Sequence, residues 1–98
     1  MILTTVVLTT VVHCRKDGYD VYIGRPSIKH PEAPYGNPFI IGRDGTREEV
    51  IEKHKVWFYS QPELMAKVKK ELSGKKLGCF CFPKSCHGDT YVEYCNGV

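Results

Sequence analysis

The run Cys79-Phe80-Cys81-Phe82-Pro83-Lys84-Ser85-Cys86-His87-Gly88-Asp89 gathers three of the five cysteines of a 98-residue chain beside a histidine and a carboxylate. A thiol attacks carbon or phosphorus, or binds a metal, as the thiolate, and a helix N-terminus or a neighbouring imidazolium lowers its pKa enough to make one. Cys86 is the candidate thiolate, His87 the candidate base or added positive charge, and Asp89 the candidate helix cap or imidazole-orienting group. These three are the catalytic candidates. A helix entered near Asp89 would also aim unpaired backbone N–H groups at the preceding loop, where an anion could sit. The plainer role, packing as a small hydrophobe, is expected for Cys79.

Cys79, Cys81, Cys86 and His87 are four ligand types close together, which raises the question of zinc. The knuckle spacing Cys-x-x-Cys is missing, Cys79 and Cys81 fall on opposite faces of a regular strand, and Cys86 and His87 are adjacent. No metal and no cofactor is therefore assigned, and a metal-held corner of an adaptor stands as an alternative. The chain has no Walker loop, no Gly-x-Gly-x-x-Gly, no paired His-Glu zinc motif, no Cys followed six residues later by Arg and no deaminase signature.

A second candidate site joins Gly24-Arg25-Pro26-Ser27 to Tyr35-Gly36-Asn37-Pro38-Phe39. Glycine and proline stiffen the backbone there, while Arg25, Ser27 and Asn37 offer donors to a phosphate or a base. The alternative is a stiff turn whose Asn37 side chain satisfies local backbone.

These groups need elements to hold them. Thr5 to Cys14 is rich in Val and Thr with apolar residues on both faces, as in a central strand buried on both sides. Asp17-Gly18 has turn chemistry, and Tyr19 to Ile23 alternates, so it can pair back as the second strand of a hairpin. Residues 24–38 contain Pro26, Pro31, Pro34 and Pro38 and are expected to be a long loop. Phe39-Ile40-Ile41 fits a short strand. Thr46 and Glu49 form a capping-box pattern ahead of a helix from about Arg47 to Ser60, with Val50, Ile51, His54, Trp57 and Phe58 on its apolar side. Pro62 opens a second helix with a Leu64, Met65, Val68 and Leu72 stripe, stopped by Gly74. Leu77 to Phe82 is a further strand, and Thr90 to Tyr94 a closing helix.

The expected fold is α/β: one small domain over 1–98, with a mixed sheet of about four strands and two to three packed helices. If the strand ending at Cys81 runs parallel to the one ending at Cys14, then His13, Cys14, Arg15, Cys81, Cys86 and His87 share the edge where α/β sites form. An antiparallel pairing separates them.

Composition bounds the setting. Apolar residues at 42% and charged residues at 26% are a globular balance, not a disordered or membrane one. The first dozen residues lack a basic leader and are too short to span a bilayer, so neither a signal peptide nor a membrane partner is expected. An odd set of clustered cysteines fits reduced thiols in a cytoplasm. The net charge of +3 is mild, yet Lys67, Lys69, Lys70, Lys75, Lys76 and Lys84 face only Glu71. That run is either a solvated helix face or a patch for nucleic acid.

Five strings in order resemble a known family: Val21-Tyr22-Ile23-Gly24-Arg25, Tyr35-Gly36-Asn37-Pro38-Phe39, Gly45-Thr46-Arg47-Glu48-Glu49, Gly78-Cys79-Phe80-Cys81 and Cys86-His87-Gly88-Asp89. Together they resemble domain of unknown function 4326, found in phages and bacteria, over nearly the whole chain from Val12 to Tyr94. The resemblance implies that Gly36, Asn37, Pro38, Phe39, Cys86, His87, Gly88 and Asp89 are signature positions, and it implies no established activity. This chain departs from the family pattern in having Tyr35 for tryptophan, Phe80 in the Gly-Cys-Trp-Cys string, and extra residues from Ile28 to Pro34. A fainter likeness, to an α/β group in which a strand cysteine precedes Cys-His-Arg at a helix start, covers only Cys81 to His87.

The functional expectation is a domain that binds or acts on a nucleotide-like or other phosphate-bearing molecule. Cys86, His87 and Asp89 are the catalytic candidates, and Arg25, Ser27, Tyr35, Gly36, Asn37 and Gly88 the ligand-binding ones. The alternatives are a regulatory module binding nucleic acid through the lysine-rich helix, and the metal-stabilised adaptor. The expected setting is cytoplasmic, the host cytoplasm if the protein is viral.

Overall fold

The computed structural model describes residues 8–27 and 29–97. The elements in chain order are β1 (Thr10–His13), β2 (Val21–Tyr22), α1 (Arg47–Phe58), α2 (Pro62–Leu72), β3 (Lys76–Cys79) and α3 (Gly88–Asn96). The expected first strand is seen from Thr10 onward; Thr5 to Val7 lie outside the described residues.

β3 is the centre of the sheet, which has the order β1-β3-β2. Both pairings are parallel, with His13 opposite Cys79 and Tyr22 opposite Gly78. Two expectations therefore fail. Tyr19 to Ile23 does not fold back on β1 as a hairpin, and among the described residues β1 is an edge strand, half-buried rather than covered on both faces. The reason is nonlocal. Leu77, Gly78 and Cys79 are the most deeply buried strand residues, and their carbonyls accept bonds on both edges, from Ile23 N at 3.0 Å to Gly78 and from Cys14 N at 3.2 Å to Cys79. The chain between β1 and β2 lays the Tyr19 ring on Gly78, where a Cβ would stand 2.7 Å from the ring. A turn at Asp17-Gly18 permits a hairpin, but a better-buried central strand takes the hydrogen bonds instead.

The expected mixed sheet of about four strands is, among the described residues, three strands paired in parallel. Phe39-Ile40-Ile41 is not a strand but leads into a turn over residues 42–44, and its ladder reduces to a single bridge between Ile41 and Gly45. Asp44 ties it off, its Oδ2 accepting from Ile40 N at 2.7 Å.

The helices start where the local chemistry says they should. Thr46 Oγ1 accepts from Glu49 N, and the Glu49 carboxylate accepts from Thr46 N, so both halves of the capping box are made. Pro62 occupies the first turn of α2, where its missing N–H costs nothing. Helix α3 begins earlier and ends later than its expected Thr90 to Tyr94, stopping at Gly97 with φ 74°. No helix of the described residues is long and apolar enough to cross a membrane.

The core joins Leu77 and Cys79 of β3 to Phe58 of α1, Val68 and Leu72 of α2, Tyr91 of α3, and Ile23 and Tyr35 from the loops. Asn96 clamps the start of β1 by exchanging bonds of 2.9 and 3.1 Å with Thr9. This fixes α3 against β1, and with it the loop that enters α3.

Candidate functional site

Parallel pairing brings the C-terminal ends of all three strands to one edge, where α/β folds bind ligands. Cys79 ends β3 there; Gly24 to Ser27 leave β2 there; residues 80–87 return to the same edge to enter α3. Between them is a cleft of about 340 Å³. Its floor carries Cys79, Cys86 and His87, and its rim carries Arg25, Ser27, Asn37, Phe39, Ile41, Arg47, Phe80 and Cys81. The two strings singled out in the sequence thus contribute to one cavity, although about fifty residues of chain separate them.

Cys86 lies in the bend before α3. Its Sγ accepts from Gly88 N at 3.3 Å, and its own N–H donates to Asp89 Oδ2 at 3.3 Å. Asp89 therefore ties the bend that holds Cys86 rather than orienting an imidazole. The Cys79 and Cys86 sulfurs lie within 4.8 Å of each other, and the Cys79 thiol, more than any other neighbour, lowers the Cys86 pKa; the Gly88 N–H acts in the same direction against burial. The neighbouring Cys86 sulfur, together with burial, pushes the Cys79 thiol well up. Of the two thiols, Cys86 is the readier to ionise.

His87 is buried, with Nε2 at 2.7 Å from Ile23 O and 2.9 Å from Tyr35 O. Carbonyls only accept, so Nε2 carries the hydrogen and Nδ1 the lone pair. Burial lowers the His87 pKa, which keeps the ring neutral. It is therefore not a positive charge beside Cys86.

Behind His87 stands a second buried histidine that sequence reading placed merely on an apolar helix face. His54 packs edge-on against His87 at 5.0 Å between ring centres and lies 3.2 Å from Tyr91 Oη through Nε2. Tyr91 in turn donates to Tyr35 O at 2.9 Å. Tyr35 O is thus held by both His87 and Tyr91, which pins the loop that forms one wall of the cleft. Among the described residues, His54 Nδ1 is the buried side-chain polar atom with no partner.

The ligand-binding candidates divide into two groups. Arg25 and Ser27 are exposed on the rim, and Arg25 also reaches Phe39 O at 3.3 Å, joining the two loops. Asn37 lines the cleft but spends its side chain on scaffold, accepting from Phe39 N at 2.9 Å and donating to Val50 O at 3.2 Å. The Tyr35 side chain turns away into the core beside Tyr91, and its hydroxyl donates to Glu71. Gly36 and Gly88 are packing positions: a Cβ on Gly36 would meet Gly24 O at 2.9 Å, and one on Gly88 would meet Ile23 Cδ1 at 2.7 Å. Of the other residues gathered by parallel pairing, His13 packs edge-on to Phe80 at 6.3 Å and Arg15 lies 5.1 Å from that ring centre. Neither they nor Cys14 line the cleft.

Sequence reading missed Arg47, which lines the cleft and donates to Ser85 O at 3.2 Å. Its one local signal is its place just after the Thr46 cap, which points a first-turn side chain toward whatever faces that helix end.

The Gly36 contact yields a direct test. Gly36→Ala puts a methyl against the Gly24 and Arg25 backbone, which cannot rotate away, so the two loops must part and strain the His87 bonds to both. The expected cost is about 1–3 kcal/mol of unfolding free energy by urea titration. A loss under about 0.5 kcal/mol would show that the loops are not in contact there.

A model of the domain of unknown function DUF4326 matches residues 9–97. The chain belongs to this family. It is 36% identical over 93 residues to an uncharacterised 12.4 kDa protein from the nrdA-td intergenic region of Enterobacteria phage T4, covering 91% of this chain and 79% of the phage protein. It is also 34% identical over 86 residues to an uncharacterised protein of Acanthamoeba polyphaga mimivirus, covering 76% of this chain and 65% of that protein. No solved structure matches the chain. Family membership adds viral relatives to the geometry and leaves the chemistry to be argued from the cleft.

Proposed function

We propose that the cleft binds a nucleotide-like, phosphate-bearing small molecule, with Arg25 and Arg47 on the phosphate and Cys86 and His87 as the reactive floor. The observation that carries this is charge. Among the described residues the ion pairs are Arg43 with Asp44 and Lys55 with Glu93, so neither cleft arginine is neutralised by a carboxylate. Each spends one N–H on a backbone carbonyl and keeps the rest for a ligand. Two uncompensated guanidinium groups above an otherwise apolar and aromatic lining of Tyr22, Phe39, Ile41 and Phe80 suit an anion attached to a flat ring. The reduced thiols on the floor fit a cytoplasmic setting, the host's if the protein is viral.

Calorimetric titration of the reduced protein with nucleoside mono-, di- and triphosphates checks the reading. Binding is expected to weaken about 10- to 100-fold in Arg47→Ala and in Arg25→Ala, as a lost charge-assisted hydrogen bond requires. Arg43→Ala, already paired with Asp44, should bind as the parent does. If no nucleotide binds at millimolar concentration, or Arg47→Ala binds unchanged, the proposal fails.

A further inference from the structure

We propose that Cys79, Cys86 and His87 form a three-ligand site for a thiophilic divalent cation of the zinc class, with its fourth position opening into the cleft. The two Sγ atoms and a ring nitrogen of His87 lie within 4.8 Å of one another, and all three residues are buried. Tetrahedral zinc binds sulfur at about 2.3 Å and imidazole nitrogen at about 2.0 Å, so its ligand atoms stand roughly 3.5–3.8 Å apart. Small side-chain rotations close that gap. In the sequence, the missing Cys-x-x-Cys knuckle, the placing of Cys79 and Cys81 on opposite faces of a strand, and the adjacency of Cys86 and His87 all spoke against a metal. The fold nevertheless brings both adjacent residues to Cys79, and leaves Cys81 outside the trio.

The surroundings suit ligation. Each sulfur accepts a backbone N–H, Cys86 from Gly88 at 3.3 Å and Cys79 from Cys81 at 3.5 Å, bonds that favour charge on sulfur. The His87 Nε2–H is fixed by two carbonyls, the support that metal-binding histidines ordinarily have, and Nδ1 keeps its lone pair with no hydrogen-bond partner among the described residues. A cation bound by both sulfurs displaces the two thiol protons to solvent, so its affinity rises with pH. Two thiolates and a neutral imidazole cancel a double positive charge, which makes burial of the ion tolerable.

Two cysteines, one histidine and a free position are the ligand pattern of zinc that meets a substrate or water, as opposed to a closed structural site. The free position faces the cleft that holds Arg25 and Arg47. That a phosphate oxygen would reach it rests on the proposed function above; the metal site itself does not.

The test uses the whole chain, reduced, freed of metal with a chelator and titrated with Co²⁺ without air. One equivalent should produce the intense near-ultraviolet thiolate-to-cobalt absorption and tetrahedral visible bands, both removed by one equivalent of Zn²⁺. Cys86→Ser and His87→Ala should each weaken Co²⁺ binding about tenfold or more, while Cys95→Ser, whose native sulfur contacts Val68 O away from the cleft, should leave it unchanged. Absence of the thiolate band in the wild-type chain overturns the site whether or not the variants fold, and so does a band that survives Cys86→Ser. Nucleotide titration of the metal-free chain separates the two readings. A cobalt band without nucleotide binding overturns the phosphate reading alone, and nucleotide binding without a cobalt band overturns the metal site alone.

Discussion

Acidifying the metal-free protein from pH 7 to pH 4 is expected to remove about 3 kcal/mol of unfolding free energy through His54 alone. Burial, reinforced by the neighbouring His87, lowers the His54 pKa from an ordinary 6.5 to about 3. Between those values the unfolded chain binds a proton that the folded chain refuses. Stability therefore rises with pH across that window and falls as pH drops through it, with no His54 contribution above about pH 7. His87, also held neutral by burial, acts in the same direction. The groups facing His54 are His87 and Tyr91 from α3 and its entry, with Phe58 and Trp57 from its own helix. A charged ring has no carboxylate to meet among them.

His54→Phe isolates the effect, because phenylalanine stacks on Phe58 and carries no orphan nitrogen. Near pH 7 it should lie within about 1 kcal/mol of the parent, and at pH 4 it should be the more stable by about 2–3 kcal/mol. Urea midpoints at pH 7, 5.5 and 4 measure both. Parallel acid slopes in the two proteins would mean that His54 is not buried neutral.

The second large effect concerns Tyr91. It is fully buried, packs edge-on against Phe58 and His54 at 5.2 Å, and donates to Tyr35 O. Tyr91→Ala should cost about 3–5 kcal/mol, since it removes an aromatic ring packed against His54, Phe58, His87 and Tyr35 and leaves Tyr35 O with one donor fewer. Tyr91→Phe removes only the hydroxyl and should cost about 1–3 kcal/mol, because the His54 Nε2–H then lacks its acceptor. A 98-residue domain has little margin, so the alanine variant should be largely unfolded near physiological temperature by circular dichroism. Equal costs for the two variants would place the energy in the hydrogen bonds, not in the packing.

Much of the local structure is legible in the sequence. The Thr46 and Glu49 pair, Pro62 at the first turn of α2, and Gly74 after it act over a few residues, and each does what its chemistry requires. Strand order is different. The Asp17-Gly18 turn is compatible with a hairpin and with a crossover, and the choice depends on β3, more than fifty residues later in the chain. The same holds for His54, whose apolar spacing is correct while its partner Tyr91 is 37 residues away. Asn37 was legible as a polar loop residue, but only Val50 O, brought alongside by α1, shows that its side chain is used up in holding the loop.

For the Cys79 to Asp89 run, the sequence by itself determined the residue types, the family, and a bend followed by a helix that holds Cys86 near backbone N–H groups, because those depend on contacts within a few residues. Tertiary structure alone decided that Cys79 faces Cys86 and His87 while Cys81 does not, that His87 is locked neutral on two distant carbonyls, and that Arg25 and Arg47 overlook the same floor. Each of these depends on which strand lies beside β3. The sheet buries Leu77, Gly78 and Cys79 of β3 in its middle, the outcome of a competition among all the strands that no single segment records.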